Sequence, residues 1–251
     1  MFALERQKHI LEVLREEGSV SVNRLSKALS VTEETIRRDL EKLEKEDALM
    51  RTHGGAIPVD NQEMPLEKRK QTNTAIKEKL ARAAIRFILP GDTVFLDAST
   101  TTFFIARELK KMKKVTVVTN SLRILNELAD VPDIKVISIG GLVSRNQSLV
   151  GSQAVNCIKE NYYVNKMFFS SRGISINAGI LESNEQECAI KQCMVANAKS
   201  KFYMFDRSKV GRIGLAKLAK FEEINHVIAE KNFSEELREK FNEYNIEIHE
   251  I

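Results

Sequence analysis

Residues 31–43, VTEETIRRDLEKL, constrain the N-terminal fold more than any other segment. Ile36, Leu40 and Leu43 are spaced by four and three residues, which places them on one face of an α-helix. Thr32 is a residue type that caps helix N-termini, and the two glutamates after it complement the positive end of the helix dipole. The segment therefore predicts an amphipathic helix that starts at Thr32 and buries its apolar face.

Two shorter helices are predicted before this segment and a hairpin after it. Apolar residues within residues 5–15 predict a first helix, and Ser21 is suited to cap a second. Residues 30–32 then form a tight turn that sets the third helix across the second. Residues 48–56 end in a stretch with paired glycines that permits a close turn. Together these elements indicate a winged helix-turn-helix.

The outward face of the third helix carries short polar and guanidinium groups, which can enter the major groove of DNA. Basic side chains of the hairpin are predicted to contact phosphate or the minor groove. The predicted DNA-contacting residues are Thr32, Glu34, Thr35, Arg37, Arg38 and Lys42 on the helix, and Arg51 and His53 on the hairpin.

An alternative explains these arginines without DNA, as surface residues paired with Glu33, Glu34 or Glu41. Charge gives DNA binding little support, because residues 1–60 hold 10 Lys and Arg against 12 Asp and Glu, although the whole chain is +4. Attraction to DNA must therefore come from a local patch and should weaken with added salt. The ordered set of helix, turn, helix and hairpin favours the DNA interpretation.

A polar segment separates this module from the rest of the 251-residue chain. Residues 58–74 contain two prolines and lack apolar periodicity, so we predict a linker between a DNA-binding domain of residues 1–57 and a second domain of residues 75–251. In the second domain, strand-like apolar runs alternate with helical segments, which predicts α/β architecture around a mostly parallel sheet. The runs are residues 94–97, 115–120, 134–141, 166–171, 201–206, 226–230 and 246–251.

Small and polar residues follow three successive predicted strands, at the ends where open α/β sheets bind ligands. Residues 97–102, DASTTT, offer hydroxyls and free amides, residues 119–121 end the next strand, and Gly140-Gly141 ends the third before residues 144–148. Such clusters also serve as caps and turns, but three in consecutive units favour an anion site. We therefore predict a small phosphorylated ligand.

Charged residues near the later strands suit the same kind of ligand. Glu185 and Lys191 also fit a solvated helix face, and the sequence leaves these two roles open. The predicted effector-binding residues are Asp97, Ser99, Thr100, Thr101, Thr119, Asn120, Gly140, Gly141, Arg145, Ser148, Arg172, Glu185, Lys191, Asp206 and Lys209.

The chain resembles a DeoR-family transcriptional regulator over nearly its whole length. TEETIRRDLEKLE and RTHGGA are similar to the family's N-terminal motif, and GDTVFLDASTTT, VVTNS, IGG, SLVG and DRSKVG are similar to its sensor domain. The resemblance implies a winged helix-turn-helix joined to a sensor domain whose fold is similar to ribose phosphate isomerases and CoA transferases. It further implies a homodimer or homotetramer that binds double-stranded operator DNA, usually as a repressor of a carbohydrate operon, and responds to a phosphorylated sugar.

The resemblance places the DNA-reading positions on residues 32–38, and two residues of the implied effector pocket depart from the family pattern. Ser99 stands where glycine is frequent and adds a hydroxyl to the predicted phosphate cup. Arg172 stands where a small or acidic residue is more usual, and its cation would favour an acidic or more oxidised sugar phosphate. The sugar phosphate, the operator sequence and the sign of the response stay open.

An enzyme is the main alternative, because the fold resemblance includes sugar phosphate isomerases and the second domain holds acid-base groups. The fused DNA-binding unit argues against it. The sequence shows no nucleophile-base pair or metal-ligand spacing, and the four histidines, His9, His53, His226 and His249, are scattered. A domain that only binds protein or oligomerises is disfavoured by the hydroxyl-rich strand ends. We therefore predict no enzymatic activity, no cofactor and no metal.

Three cysteines and the hydropathy pattern bear on the cellular compartment. Cys157, Cys188 and Cys193 form no redox motif, and we expect reduced structural thiols. No charged-then-apolar signal opens the chain, and no apolar run approaches the roughly 20 residues that cross a bilayer. These features predict a cytoplasmic protein without a membrane partner.

Overall fold

The computed structural model describes residues 3–17, 20–46, 48–52, 54–58 and 64–251. Two compact units make up the chain: residues 1–62 with 211–213, and residues 63–210 with 214–251. Within the described residues, every helix is too short or too polar to cross a membrane.

The first unit is a winged helix-turn-helix, as the sequence predicts. Its strands pair in the order β1-β3-β2, and each neighbouring pair is antiparallel. The side chains of Ser21 and Thr32 cap α2 and α3 by accepting hydrogen bonds from the amides of Arg24 and Thr35. The elements are helices α1 (Ala3–Glu17), α2 (Val22–Leu29) and α3 (Glu33–Lys45), and strands β1 (Val20–Ser21), β2 (Leu49–Thr52) and β3 (Gly55–Pro58).

The predicted stripe of α3, with Ile36 at its centre, is buried in the apolar core of this unit. A polar contact adds to it: buried Asp39 of α3 binds the side chains of Arg6 and Gln7 of α1. The wing requires glycine at position 55, because a Cβ there would lie 1.8 Å from the carbonyl oxygen of Val20. Local sequence thus determines the helices, and the absence of a Cβ atom on Gly55 lets β1 pair with β3.

The second unit is built on a parallel sheet whose strands run in the order β15-β14-β12-β9-β4-β5-β6. All seven predicted apolar runs are strands of this sheet. The strands of the unit are β4 (Thr93–Leu96), β5 (Val115–Thr119), β6 (Ile134–Ser138), β7 (Leu142–Val143), β8 (Leu149–Val150), β9 (Val164–Phe169), β10 (Gly173–Ser175), β11 (Gly179–Glu182), β12 (Ala198–Phe205), β13 (Ala216–Ala219), β14 (His226–Ala229) and β15 (Glu247–Glu250).

Helices cover both faces of this sheet, so consecutive residues of its strands enter opposite cores. Phe95 packs in the core that contains α8, α9 and α10, whereas Val94 and Leu96 pack with α5, α6 and α7. The helices are α4 (Leu66–Gln71), α5 (Thr74–Ala84), α6 (Thr102–Leu109), α7 (Leu122–Leu128), α8 (Ser152–Asn161), α9 (Glu185–Ala196) and α10 (Glu235–Glu243), with 3₁₀ turns at Ile85–Phe87, Arg207–Lys209 and Phe221–Glu223.

The strand order reverses direction between β4 and β9. The chain builds β4, β5 and β6 outward in one direction, then returns to place β9 on the other side of β4. Loops after the two strands diverge at such a switch point, which leaves a crevice where open α/β sheets bind ligands. The unit also contains two small antiparallel sheets, separate from the parallel one: the hairpin β7-β8, and the three strands β10-β11-β13.

The segment interpreted as a linker contains helix α4. Leu66 is its buried residue, and Lys77 of α5 donates hydrogen bonds to the carbonyl oxygens of Arg69 and Thr72. A helix of six residues with one apolar anchor is too short to show apolar periodicity in a sequence.

Candidate functional site

The outward face of α3 holds its charges in exposed ion pairs. Arg37 lies 2.7 Å from Glu33, and Arg38 lies 3.3 Å from Glu34, each one helical turn away. These are pairs of the kind that the alternative without DNA anticipated. Exposed pairs of this kind contribute little stability, so either arginine can exchange its glutamate for a DNA phosphate at small cost.

The remaining predicted DNA-contacting residues lie on the same helix and on the wing. The hydroxyls of Thr32 and Thr35 bond each other at 2.9 Å at the start of α3, and Lys42 is exposed near its end. Arg51 is exposed on β2, where its amide and guanidinium both bond Glu44 of α3. His53 lies outside the described residues.

Polar residues follow four adjacent strands of the parallel sheet at their carboxyl ends. Asn120 follows β5, Asp97 follows β4, Ser170 follows β9 and Asp206 follows β12, and all four are buried. The Oδ1 atom of Asn120 and the hydroxyl of Ser170 have no hydrogen-bond partner among the described residues. Buried polar atoms without partners are rare in folded proteins and mark places that a ligand or water can complete.

A buried ion network joins the two sides of the switch point. The ammonium of Lys191 from α9 lies 3.0 Å from Asp97 and also bonds the carboxylate of Glu182, at the end of β11. It further donates to the carbonyl oxygen of Ser170, at 2.9 Å. Lys191 thus donates two hydrogen bonds, to Glu182 and Ser170, and forms an ion pair with Asp97, so it links the loops after β4 and β9.

Burial opposes the charges of this network, but the ion pairs outweigh it. Burial alone would lower the pKa of Lys191, whereas Asp97 and then Glu182 raise it well above its ordinary value. Burial likewise favours a neutral Glu182, yet Lys191 holds the pKa of that carboxyl below its usual range. Glu182 and Lys191 are therefore both ionised at neutral pH.

The loop after β4 forms a cradle of amides and hydroxyls. Asp97 fixes the loop because its carboxylate accepts the amide of Ser99 at 3.2 Å and the hydroxyl of Thr102 at 2.8 Å. The hydroxyl of Ser99 in turn accepts a hydrogen bond from the amide of Thr102, the first residue of α6. Within the described residues, the amides and hydroxyls of Thr100 and Thr101 have no hydrogen-bond partner.

A buried carboxylate that the sequence did not single out holds residues 144–148, the loop between β7 and β8. Buried Glu187 of α9 accepts hydrogen bonds from Ser148 at 2.8 Å, Asn146 at 3.0 Å and Ser144 at 3.3 Å. The same loop binds the segment after β5, since the amide of Leu149 donates to the carbonyl of Asn120. Glu187 thereby fixes the β7-β8 hairpin beside the strand ends.

The glycines and threonine of the predicted site have structural roles at these ends. Gly140 and Gly141 both have positive φ, and a Cβ on Gly141 would lie 2.6 Å from the carbonyl oxygen of Val150. The hydroxyl of Thr119 donates to the carbonyl of Leu96 and accepts the amide of Ser121. These residues shape the loops at the carboxyl ends of β5 and β6.

The other predicted effector residues divide into buried and exposed ones. Arg172 is buried after β9, and Asp206 is buried where it binds the side chain of Asn73. Lys209 is half-buried, and its charge contributes to the low pKa of Glu182. Arg145 and Glu185 are exposed.

Near these strand ends, the residues that the sequence did not single out are Glu182, Glu187 and Ser170. Glu182 ends the apolar run GILE, and this resembles Asp97 at the end of VFLD. An acidic residue at the end of an apolar run was therefore the sequence pattern that could have identified Glu182. Glu187 had no such pattern, because its three partners lie on a distant loop.

Family models match both units. Residues 6–62 match the DeoR-like helix-turn-helix domain, and residues 72–231 match the DeoR C-terminal sensor domain. This chain belongs to the DeoR family of transcriptional regulators. Its motif resemblance and its fold class are both confirmed by these matches.

Curated relatives of this DeoR-family regulator align with it over most of their length. The HTH-type transcriptional regulator YulB of Bacillus subtilis is 38% identical over 92% of this chain and 90% of its own. A putative aga operon transcriptional repressor of Escherichia coli O157:H7 is 33% identical over 97% and 92%, and the glycerol-3-phosphate regulon repressor of Escherichia coli K12 is 30% identical over 89% of each. These relatives are transcriptional regulators like this chain.

Among solved structures, ribose 5-phosphate isomerase A of Neisseria gonorrhoeae is similar in fold to part of the regulator. The two share 17% identity over 58% of this chain and 57% of that one, with a TM-score of 0.42.

Proposed function

We propose that this regulator represses a carbohydrate operon by binding double-stranded operator DNA through α3 and the wing, and that a phosphorylated sugar releases it. The phosphate would occupy the cradle after β4, and the sugar would lie across the switch point toward the loop after β9. The names of two relatives, an aga operon repressor and a glycerol-3-phosphate regulon repressor, support a ligand of this class.

The cradle of Ser99, Thr100 and Thr101 is the observation that carries this proposal. Its amides and hydroxyls are donors placed at the start of α6, where the helix dipole favours an anion. Asp97 and Lys191 fix the loop from beneath, so the donors are oriented before the ligand arrives. A cradle fixed in advance spends little binding energy on ordering the loop.

The sugar moiety has polar partners of its own in this proposal. Asn120 and Ser170 hold buried atoms that lack partners among the described residues, and both flank Asp97 on neighbouring strands. Hydroxyl groups donate and accept, so a sugar satisfies an amide oxygen and a serine hydroxyl together. Arg172, buried after β9, adds a cation that favours an acidic sugar phosphate.

The state of the acid-base groups supports a sensor that is not an enzyme. Lys191 is buried, donates hydrogen bonds to Glu182 and to the carbonyl of Ser170, and forms ion pairs with both carboxylates around it. A general base must instead be free to take a proton from its substrate. The isomerase alternative would require this network to open first.

Coupling between the two units would work through the arrangement of subunits in a homodimer or homotetramer. Two recognition helices must meet successive major grooves, so a small rotation of subunits weakens operator binding. Because coupling is reciprocal, operator DNA must weaken sugar-phosphate binding by the same factor.

The proposal is tested by fluorescence anisotropy on labelled DNA from upstream of the regulator's own gene, at fixed salt. The full chain is titrated with sugar phosphates, glycerol 3-phosphate among them, and with each unphosphorylated parent. Release by one phosphorylated compound and not by its parent is the expected result. Operator binding that no phosphorylated compound alters would refute the effector part, and absence of specific DNA binding would refute the whole.

A matched pair of variants locates the phosphate. Thr100→Val and Thr101→Val each remove a cradle hydroxyl at nearly constant volume and should weaken the response to the active compound. Thr116→Val is the control, because Thr116 lies near the amino end of β5, away from the carboxyl ends that form the proposed site. Equal responses from all three variants would place the phosphate elsewhere.

A further inference from the structure

Two histidines and a glutamate converge at the β14-β15 edge of the parallel sheet. The Nδ1 atom of His226 lies 3.5 Å from Nε2 of His249 and 3.3 Å from a carboxylate oxygen of Glu247. The same oxygen lies 3.8 Å from Nε2 of His249. Among the described residues, these three form a group whose ligand atoms all lie close enough to share one ion.

The strand register explains why residues so far apart in sequence meet here. His226 pairs directly with Glu247 across the parallel strands β14 and β15. His249 is two residues beyond Glu247, so it projects from the same face of the sheet. From the sequence alone the histidines are scattered and no metal is predicted, because the distance between them in sequence gives no sign of this register.

The triangle formed by the three ligand atoms has the size of a metal coordination face. A point equidistant from all three atoms would lie about 2 Å from each, which is the length of Zn–N and Zn–O bonds. Two imidazoles and one carboxylate are a ligand set that zinc sites use, with a fourth position left for water. The side chain of Glu247 is 68% exposed, so solvent can supply that water.

Aromatic packing holds both imidazole rings in place without a metal. His226 stacks on Phe202, with ring centroids 4.2 Å apart and planes within 10°, and Phe202 stacks on Phe168 in the next strand. Phe87 packs against His249 at 4.6 Å and also contacts Phe202. The histidine side chains are partly buried, at 19% and 26% exposure, so their rotamers are restricted. Restricted ligands lose less entropy when an ion binds.

We propose that His226, Glu247 and His249 bind one divalent transition-metal ion, with Zn²⁺ as the preferred ion. Two neutral imidazoles and one carboxylate leave the site with a net charge of +1 when Zn²⁺ is bound. Two of the ligands belong to the edge strand β15 and one belongs to β14, so the ion would fasten the C-terminal strand to the sheet. The site is separate from the effector cradle, since His226 opens β14 at the amino end while Asp97 follows the carboxyl end of β4.

Isothermal titration of the untagged full chain with ZnCl₂, after treatment with a chelator, tests the proposal. The expected result is one Zn²⁺ per chain, with affinity lowered on the order of 10-fold or more in His226→Ala, His249→Ala and Glu247→Gln. His9→Ala is the matched control, because His9 lies on α1 in the other unit and should bind Zn²⁺ as the natural chain does. The proposal is overturned if the natural chain takes up no Zn²⁺, or if His249→Ala binds it equally well.

Two further measurements keep the result independent of folding and of the cysteines. At one Zn²⁺ concentration, the Tm of the natural chain should rise more than that of Glu247→Gln, because a ligand that binds only the folded state stabilises it more when it binds more tightly. Glu247 is exposed, so this variant should fold like the natural chain in the presence of chelator. With Co²⁺ in place of Zn²⁺, we expect the visible d–d bands of the bound ion. We expect no thiolate-to-metal charge-transfer band in the near ultraviolet. A thiolate band would instead assign the ion to Cys157, Cys188 or Cys193 and refute the proposal.

Discussion

The two units of this regulator hold their charges in opposite ways. On α3, the side chains of Arg38 and Glu34 are 77% and 63% exposed, and their pairing competes with water. At the switch point, Lys191 and Asp97 are 4% and 0% exposed and have no such competitor. The exposed charges are suited to exchange glutamate for phosphate, whereas the buried ones fix the shape of a site. The proposed DNA-contacting surface therefore depends on exposed ion pairs, and the proposed effector site depends on buried ones.

The largest expected effect comes from removing the cation of the buried network. Lys191→Met leaves Asp97 and Glu182 buried without a counterion and should lower the free energy of unfolding by about 3–5 kcal/mol. Lys45→Met is the control, because Lys45 pairs with Glu41 on the exposed face of α3 and should cost below about 0.5 kcal/mol. Urea denaturation followed by circular dichroism measures both. Equal losses would contradict the contrast between the two units.

A backbone contact in the wing gives the next effect. Gly55→Ala places a Cβ against the carbonyl of Val20 and should destabilise the first unit by about 1–3 kcal/mol. Gly54→Ala is the matched control, because a Cβ on Gly54 meets no atom within 4 Å. Hydrogen exchange of the α3 amides compares the two variants. Unchanged protection in Gly55→Ala would show that the pairing of β1 with β3 tolerates the extra atom.

Arg38→Ala sharpens the role of the exposed face. We expect operator affinity to fall by about 1–3 kcal/mol with effector affinity nearly intact. A loss confined to certain base substitutions would identify a base contact, whereas a uniform loss with a smaller salt dependence would identify a phosphate contact. Anisotropy at two salt concentrations distinguishes them, with Lys45→Ala as control. Operator binding equal to that of the natural chain would refute the groove assignment.

The smallest effect concerns Lys77 and pH. Burial lowers its pKa from 10.5 to about 8, although Asp206 opposes the shift. Between about pH 8 and 10.5 the unfolded chain therefore binds more protons at this lysine than the folded chain does. Stability from this group should rise with pH through that window and be constant below it. Urea midpoints at pH 7.5 and 9.5 should rise less for Lys77→Met than for the natural chain, and an equal rise would contradict the shift.

Local patterns predicted the elements of the fold because their causes are local. Ser21 and Thr32 cap the helices that their residue types indicate, and each predicted apolar run is a strand of the parallel sheet. The strand ends near Asp97 and Asn120 were predicted once the strands were taken as parallel, because parallel strands bring their carboxyl ends to one edge of the sheet.

Partners chosen by topology were not predictable in the same way. The sequence left Glu185 and Lys191 as effector-binding residues or as a solvated helix face, whereas the structure exposes Glu185 and buries Lys191 in an ion pair with Glu182, at a strand end. His226 and His249 meet because β14 and β15 pair in one register, which no spacing in the sequence reveals. Charge partners depend on which strands become neighbours, and only the folded sheet decides that.

The reversal of strand order at β4 also separates Asp97 and Lys191 in the order of synthesis. Asp97 leaves the ribosome early, with the whole strand segment of β4, β5 and β6, but its cation belongs to α9 and is made almost a hundred residues later. Until Lys191 emerges, the carboxylate has to stay in water and the loop after β4 lacks its support. A nascent chain that stops before α9 can therefore hold a complete winged helix-turn-helix while it has no working sensor.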